Sequence, residues 1–132
     1  MILTINANAA VDIVMFIDRF NPGETMRPTR VVHSVGGKGL DSAVVLRAIG
    51  APVKAITFAA GRNGETLARL LEDRQIETEI LWLDGDTRVA NVIVETDFNR
   101  HSHITTPGYT VTAQDCENFK SCIRSCVWQH TV

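Results

Sequence analysis

The sequence predicts an α/β fold in which helices cover a parallel sheet in three layers. Two stretches, 2–49 and 53–75, each start with a short apolar strand and reach a helix through a glycine-rich turn. Repeated units of this kind favour parallel strands joined by right-handed crossovers. With 132 residues, 45% hydrophobic and 21% charged, the chain has the composition of one globular domain or part of one.

Charge and hydropathy exclude two classes of partner. The 15 acidic and 13 basic residues nearly balance, so no overall field attracts nucleic acid or an anionic membrane. No apolar run approaches the roughly 18 residues that span a bilayer, and the first residues lack the pattern of a signal peptide. The three cysteines are an odd number within one predicted helix, which indicates reduced thiols. We therefore expect a cytoplasmic protein.

The first predicted strand, 2–8, leads into a segment that contains Asp12. Open α/β sheets bind ligands beyond the carboxyl ends of their strands, so an aspartate at this tip is a candidate binding residue. An aspartate after a strand is also a common solvated turn residue. Both interpretations stay open on these residues alone.

The glycine-rich turn Gly36-Gly37-Lys38-Gly39 opens a helix predicted over 40–49. Such a turn gathers unpaired N–H groups and the positive end of the helix dipole, which suits an anionic or hydroxyl-rich ligand. It is not a P-loop, because Val32 and Gly39 break that spacing, and Ser42 breaks a dinucleotide fingerprint. The helix is nearly all apolar or small, so we expect burial on most of its sides.

Further strands and helices follow by pattern. Residues 13–20 and 30–35 are predicted as strands around a turn at 21–24, and 53–60 as a core strand before a helix that Asn63 can cap. Residues 78–83 and 87–95 are predicted as a hairpin around Asp84-Gly85-Asp86. Thr112 and Asp115 fit a capping box, and the cysteines of the helix that follows are predicted to face the core.

A metal site is not predicted. His101 and His103 can share one face of a strand, but no third ligand stands nearby in sequence. The cysteines include no C-x-x-C pair. We interpret the histidines as side chains of a surface strand and the cysteines as small buried hydrophobic residues.

Several segments resemble one family. The run 36–43 is similar to the first signature of the pfkB/ribokinase-like carbohydrate kinases, G-G-K-G-x-N-x-A. Residues 8–12 resemble the N-P-A-[IL]-D element of the branch that contains 1-phosphofructokinase and tagatose-6-phosphate kinase, with Ala9 in place of proline. Thr87-Arg88 and Pro107-Gly108 fit the same branch. The likeness covers the whole chain, but only the N-terminal half of such an enzyme.

The resemblance implies a ribokinase-like three-layer sheet with a small β-lid, of which 1–132 is the N-terminal part of one domain. Its lid strands are expected at about 13–35 and 78–105. The implied reaction is phosphoryl transfer from ATP, with Mg²⁺, to a hydroxyl of a sugar or sugar phosphate. The implied acceptor residues are Asp12, Gly36, Gly37, Lys38 and Asp41, with Arg88 and Arg27 at the anionic end of the acceptor. Pairing of lids implies a homodimer.

The resemblance places the catalytic base and the nucleotide loops beyond Val132, so no catalytic residue is expected here and the piece alone is expected to be inactive. At Trp128–Val132 the family begins another core strand. Two residues that the resemblance places at the acceptor differ from the family pattern: Asp41 replaces an asparagine, and Ala90 replaces a second asparagine. The alternatives are a non-catalytic sugar-binding or dimerisation module, and a kinase of nucleosides or unphosphorylated sugars.

Overall fold

The computed structural model describes residues 1–128, in which two sheets and three helices are present. Of the strand predicted at 128–132, Trp128 is instead the last residue of the final helix, and residues 129–132 lie outside the described residues. No helix within residues 1–128 is long and apolar enough to cross a membrane. In chain order the elements are β1 (Ile2–Asn6), β2 (Ala10–Ile17), β3 (Arg30–Gly36), α1 (Lys38–Ala48), β4 (Val53–Ala60), α2 (Gly61–Asp73), β5 (Glu77–Leu83), β6 (Arg88–Glu95), β7 (Arg100–Thr105) and α3 (Ala113–Trp128).

The core sheet has the order β1-β4-β5 and is parallel throughout. Every residue of β4 is buried, because alternate side chains enter clusters on opposite faces of the sheet. On one face Ala55 packs with Leu40 of α1 and Leu67 of α2. On the other face Phe58 stacks on Phe119 of α3, with ring centroids 4.3 Å apart. The predicted three-layer α/β arrangement is confirmed.

The second sheet has the order β3-β2-β6-β7. Strand β2 pairs antiparallel with β3 and parallel with β6, and β7 returns antiparallel to β6. Register places Ser34, Asp12, Ala90 and Thr105 in one row across the four strands. Because side chains in register share a face, this row presents Asp12 and its neighbours to the same side of the sheet.

The predicted hairpin at 78–95 is wrong. Strand β5 pairs in parallel with β4 inside the core sheet, so the second sheet resumes only at Arg88 and not at 78. Ile80 packs on one face of the core and Leu81 and Leu83 on the other. Both faces of β5 are therefore partly covered. The turn 84–86 is a crossing between sheets, although its Asp-Gly sequence is typical of a hairpin.

Two predictions about burial need correction. Only Leu40 and Ala43 of α1 are buried, whereas Val45 and Ile49 are 61% and 73% exposed. The helix packs through one face on β1 and β4, so its apolar composition does not translate into burial on most sides. Of the three cysteines, Cys126 is buried, Cys122 is half-buried and Cys116 is exposed. The predicted capping box at Thr112 and Asp115 is confirmed.

Candidate functional site

A cavity of about 530 Å³ opens where the carboxyl end of β1, the start of α1 and the second sheet meet. Five of the seven predicted acceptor residues line it: Asp12, Gly37, Lys38, Asp41 and Arg88. The position agrees with the rule that open α/β sheets bind ligands beyond the carboxyl ends of their strands. Asn6, Asn8 and His103 line the same cavity.

The glycine turn shapes the cavity because side chains from β1 and β2 lie directly against it. Gly37 has a φ of 116°, and a Cβ atom there would stand 2.5 Å from Oδ1 of Asn6. Gly36 does not line the cavity, but a Cβ atom on it would overlap the carboxylate of Asp12. No capping side chain bonds the N-terminus of α1 within the described residues. The first N–H groups of the helix therefore remain available to a ligand.

Asp12 lies within strand β2 and not in the loop at the tip of β1, which corrects its predicted location. Burial raises the pKa of Asp12, and the neighbouring Asp41 carboxylate raises it further. Arg88, His103 and Lys38 act on the pKa of Asp12 in the opposite direction. A carboxylate that is partly withdrawn from water but surrounded by cations is a strong acceptor for ligand hydroxyl groups.

Arg88 is the first residue of β6, and its guanidinium is only partly satisfied. Nη2 donates to the carbonyl oxygen of Asn8 at 3.3 Å, and Nη1 donates to Oγ1 of Thr105 at 3.4 Å. Its Nε is buried and has no hydrogen-bond partner among the described residues. No carboxylate among residues 1–128 lies within ion-pair distance of it. A half-buried guanidinium without a carboxylate partner favours a bidentate anion such as a phosphate.

Lys38 and Asp41 stand at the rim, one at the start of α1 and the other in its first turn. Both are exposed, and neither forms an ion pair within the described part of the chain. Asp41 favours the helix because it meets the positive end of the dipole. It also places a second negative charge near Asp12 and thus near any anionic ligand.

Arg27 does not reach this cavity. It is exposed in the segment between β2 and β3, beyond the end where Phe16 pairs with Arg30. The cavity lies at the opposite end, where Ala10 pairs with Gly36, roughly 20 Å away along an extended strand. The turn between the two strands therefore separates Arg27 from the glycine turn, and the role that the resemblance implies for Arg27 is not supported at this cavity.

His103 is a cavity residue that the sequence did not identify. It was interpreted as a surface histidine, yet it lines the cavity from β7 and its ring lies 5.2 Å from that of His101. In the pairing of β7 with β6, His103 lies opposite Val92, two residues from Thr105 and therefore on the same face of the sheet. The spacing of two residues from Thr105 indicates a cavity position only when the register of β7 against β6 is known. No group of three potential metal ligands occurs within residues 1–128.

Comparison with known sequences identifies the family. A model described as pfkB family carbohydrate kinase matches residues 5–123. The chain belongs to the pfkB family. A tagatose-6-phosphate kinase from Staphylococcus epidermidis is 32% identical over 121 residues, covering 92% of this chain and 38% of that protein. A 1-phosphofructokinase from Bacillus subtilis is 29% identical over 119 residues, covering 90% of this chain and 38% of its own length.

Solved structures agree with this pfkB assignment. A structure from Thermotoga maritima described as a possible 1-phosphofructokinase gives a TM-score of 0.90 at 27% identity, covering 96% of this chain and 41% of that one. Phosphofructokinase-2 from Escherichia coli, in complex with fructose-6-phosphate, gives 0.85 at 21% identity and shares the fold. The predicted pfkB family and ribokinase-like fold are confirmed. The chain spans about two fifths of the length of these pfkB relatives.

Proposed function

We propose that this chain is the acceptor-binding part of an ATP-dependent sugar-phosphate kinase. The observation that carries the proposal is the guanidinium of Arg88, whose buried Nε lacks a partner among the described residues, in the same cavity as Asp12 and the start of α1. The guanidinium suits a phosphate, and the carboxylate of Asp12 suits hydroxyl groups. A phosphorylated sugar combines both features.

Five of the seven predicted acceptor residues have a place in this scheme. Asp12 accepts hydrogen bonds from sugar hydroxyls, and Gly36 leaves room for the carboxylate of Asp12 because it has no Cβ atom. Gly37 and Lys38 present the helix N-terminus and a positive charge, and Arg88 binds the phosphate already on the sugar. The names of the relatives, tagatose-6-phosphate kinase and 1-phosphofructokinase, support a phosphorylated acceptor.

The proposed donor is ATP with Mg²⁺. In phosphoryl transfer the protein mainly positions the reactants and stabilises charge, and this part of the chain positions the acceptor. We assign no ligand of the nucleotide or of Mg²⁺ and no catalytic base among residues 1–128. The base and the nucleotide loops remain predicted beyond Val132. The free thiols of residues 116, 122 and 126 support a reducing compartment, the cytoplasm.

We further propose that the second sheet is the lid and that it pairs with the lid of another copy. On the face opposite to Asp12 it carries an apolar cleft of about 130 Å³, lined by Met15, Ile17, Phe20, Met26, Pro28 and Ile93. An apolar face of this kind suits a second apolar surface. Arg27, next to Met26, lies on this side of the molecule and not at the cavity.

A second candidate is a kinase of unphosphorylated sugars. Asp41 favours it, because the carboxylate adds negative charge close to where a sugar phosphate would lie. Ala90 favours it too, since an alanine cannot hydrogen-bond the acceptor.

Calorimetric titration of the purified protein tests these alternatives. We expect fructose 6-phosphate or tagatose 6-phosphate to bind at least about tenfold more tightly than the free sugar, and Arg88→Met to remove this difference. Arg47→Met, on the outer side of α1 where Arg47 donates to Gln75, is the matched control. Equal or tighter binding of free sugars would favour the second candidate. No binding of either class would overturn the proposed function, and sugar binding without ATP-dependent turnover by the whole protein would indicate a non-catalytic module.

A further inference from the structure

The segment Ala7–Ala9, between β1 and β2, forms one wall of the cavity. Ala7 and Asn8 line it directly. The carbonyl oxygen of Asn8 accepts the hydrogen bond from Nη2 of Arg88. The position of this short segment therefore sets the direction of the guanidinium.

Ala9 has a buried backbone N–H that needs a hydrogen-bond acceptor, whereas a proline at this position would have none. Ala9 is completely buried, and alanine carries a backbone N–H that proline lacks. A buried N–H without a partner costs stability, so this donor needs an acceptor. The hydroxyl of Tyr109 accepts it at 3.1 Å.

The same hydroxyl also closes the other end of the segment, because it donates to the carbonyl oxygen of Ala7 at 3.3 Å. One oxygen thus ties together the residues on both sides of Asn8. Burial raises the pKa of Tyr109, and the bond from Ala9 only partly opposes this, so the hydroxyl keeps its proton at neutral pH.

The ring of Tyr109 packs against the core, and Tyr109 is not among the residues that line the cavity. It packs edge-on against Phe58 with centroids 6.2 Å apart, beside the cluster that α3 covers. Phe58 belongs to β4, the central strand of the core sheet. A rigid contact therefore leads from the sheet to the wall of the cavity.

We propose that Tyr109 is a positioning residue of the acceptor site: its hydroxyl fixes the Ala7–Ala9 wall and, through the carbonyl of Asn8, the direction of the Arg88 guanidinium. This inference rests on the proposed function. Tyr109 supplies by hydrogen bonding the rigidity that a proline at position 9 supplies through its ring, and it acts on the phosphate end of the acceptor.

The test compares Tyr109→Phe with the wild-type protein in calorimetric titrations with fructose 6-phosphate and with fructose. The variant keeps the ring and removes the hydroxyl. We expect about tenfold weaker binding of the phosphate and a change within about twofold for the free sugar. Thr78→Val, which removes a hydroxyl bonded to a carbonyl away from the cavity, is the matched control.

Two double variants separate positioning from a general loss of stability. In an Arg88→Met background, Tyr109→Phe should have little further effect on phosphate affinity, since the two residues act along one path. In an Ala9→Pro background its effect should be smaller than in the wild-type protein, because no N–H remains to be satisfied and only the bond to the carbonyl oxygen of Ala7 is lost. As a readout without ligand, amide exchange at Ala9 should accelerate at least about tenfold in Tyr109→Phe.

The outcomes distinguish the two proposals. If the wild-type protein binds no sugar phosphate, the proposed function is overturned. If the wild-type protein binds fructose 6-phosphate and Tyr109→Phe binds it equally well, or if the losses from Tyr109→Phe and Arg88→Met simply add, the positioning role is overturned while the proposed function stands.

Discussion

Two glycine turns open the first two helices, and the protein treats them differently. The turn at 36–39 leads into α1, whose N-terminus meets the cavity without a capping side chain. The turn at the start of α2 is closed by Asp86. One carboxylate oxygen of Asp86 accepts the N–H of Asn63 at 3.0 Å, and the other accepts from Nδ2 of the same residue at 3.0 Å.

The difference separates a turn that serves stability from a turn that serves binding. Both helix N-termini carry partial positive charge and unsatisfied donors. At α2 the carboxylate of Asp86 accepts an N–H of the first turn, whereas at α1 no side chain among the described residues does so, and Asp41 supplies only a charge near the positive end of the dipole. A glycine turn is thus informative about function only when no side chain bonds its free N–H groups. Four experiments test this contrast and the site that it defines.

The largest effect is expected from Gly37→Ala compared with Gly61→Ala. A Cβ atom on Gly37 would collide with Asn6 in a backbone with a φ of 116°, so we expect phosphate affinity to fall by about a hundredfold or more. Gly61 has a φ of 59° beside Asp86, and its substitution should cost about 1–3 kcal/mol of stability. The affinity of the Gly61→Ala variant for the sugar phosphate should stay within about threefold of the wild-type value. Urea unfolding measures the stability of both variants, and calorimetry measures their affinity for the sugar phosphate. Equal losses of affinity in the two variants would contradict the proposed difference between the two turns.

Asp41→Asn should change specificity. It removes a negative charge from the rim and restores a side chain that donates as well as accepts, so the ratio of phosphate to free-sugar affinity should rise by roughly ten- to 150-fold. Asp73→Asn, at the far end of α2, changes charge equally without approaching the cavity. An unchanged ratio would mean that Asp41 serves only the helix.

Asp86→Ala should lower stability by about 1 kcal/mol and leave affinity unchanged, because it removes a cap from a helix end that binds no ligand. Asp115→Ala, which removes the carboxylate that accepts from the N–H and the hydroxyl of Thr112 at the start of α3, should cost a similar amount. Urea unfolding provides the comparison. A loss of sugar affinity in Asp86→Ala alone would show that the second turn is coupled to the cavity.

The smallest effect concerns pH. Because burial and Asp41 raise the pKa of Asp12, its contribution to stability is present below the ordinary pKa and is lost as the pH rises through the raised value. Asp12→Asn should therefore unfold at higher urea than wild type at pH 7, and the difference should vanish near pH 3. The exposed Asp18→Asn is the control. Equal stability of wild type and Asp12→Asn at both pH values would contradict this account.

The sequence predicted what depends on local pattern. The strand at 53–60, the glycine turn before α1 and the capping box at Thr112 follow from side-chain periodicity and backbone chemistry, which act over a few residues. The resemblance supplied Asp12 and Arg88 as site residues, and the structure brings both to one cavity.

The predictions that were wrong concern features that depend on contacts between distant parts of the chain. Strand β5 was predicted as half of a hairpin because an Asp-Gly turn follows it, but the core sheet offered it a parallel partner. His103 was missed because its position depends on the register of β7 against β6. Asn63 was predicted to cap α2, yet the cap comes from Asp86, far along the chain. Arg27 was assigned to the site by the resemblance, but the chain between β2 and β3 holds it at the end of these strands that is opposite to the glycine turn.

The most direct test of the contrast between the two turns is an NMR titration of the ¹⁵N-labelled protein with fructose 6-phosphate. We expect saturable shifts of the backbone amides of residues 37–41 and of the side-chain N–H signals of Arg88, with the amides of residues 61–64 unchanged. Shifts confined to residues 61–64, or equal shifts at both turns, would contradict the claim that the uncapped start of α1 is the acceptor site.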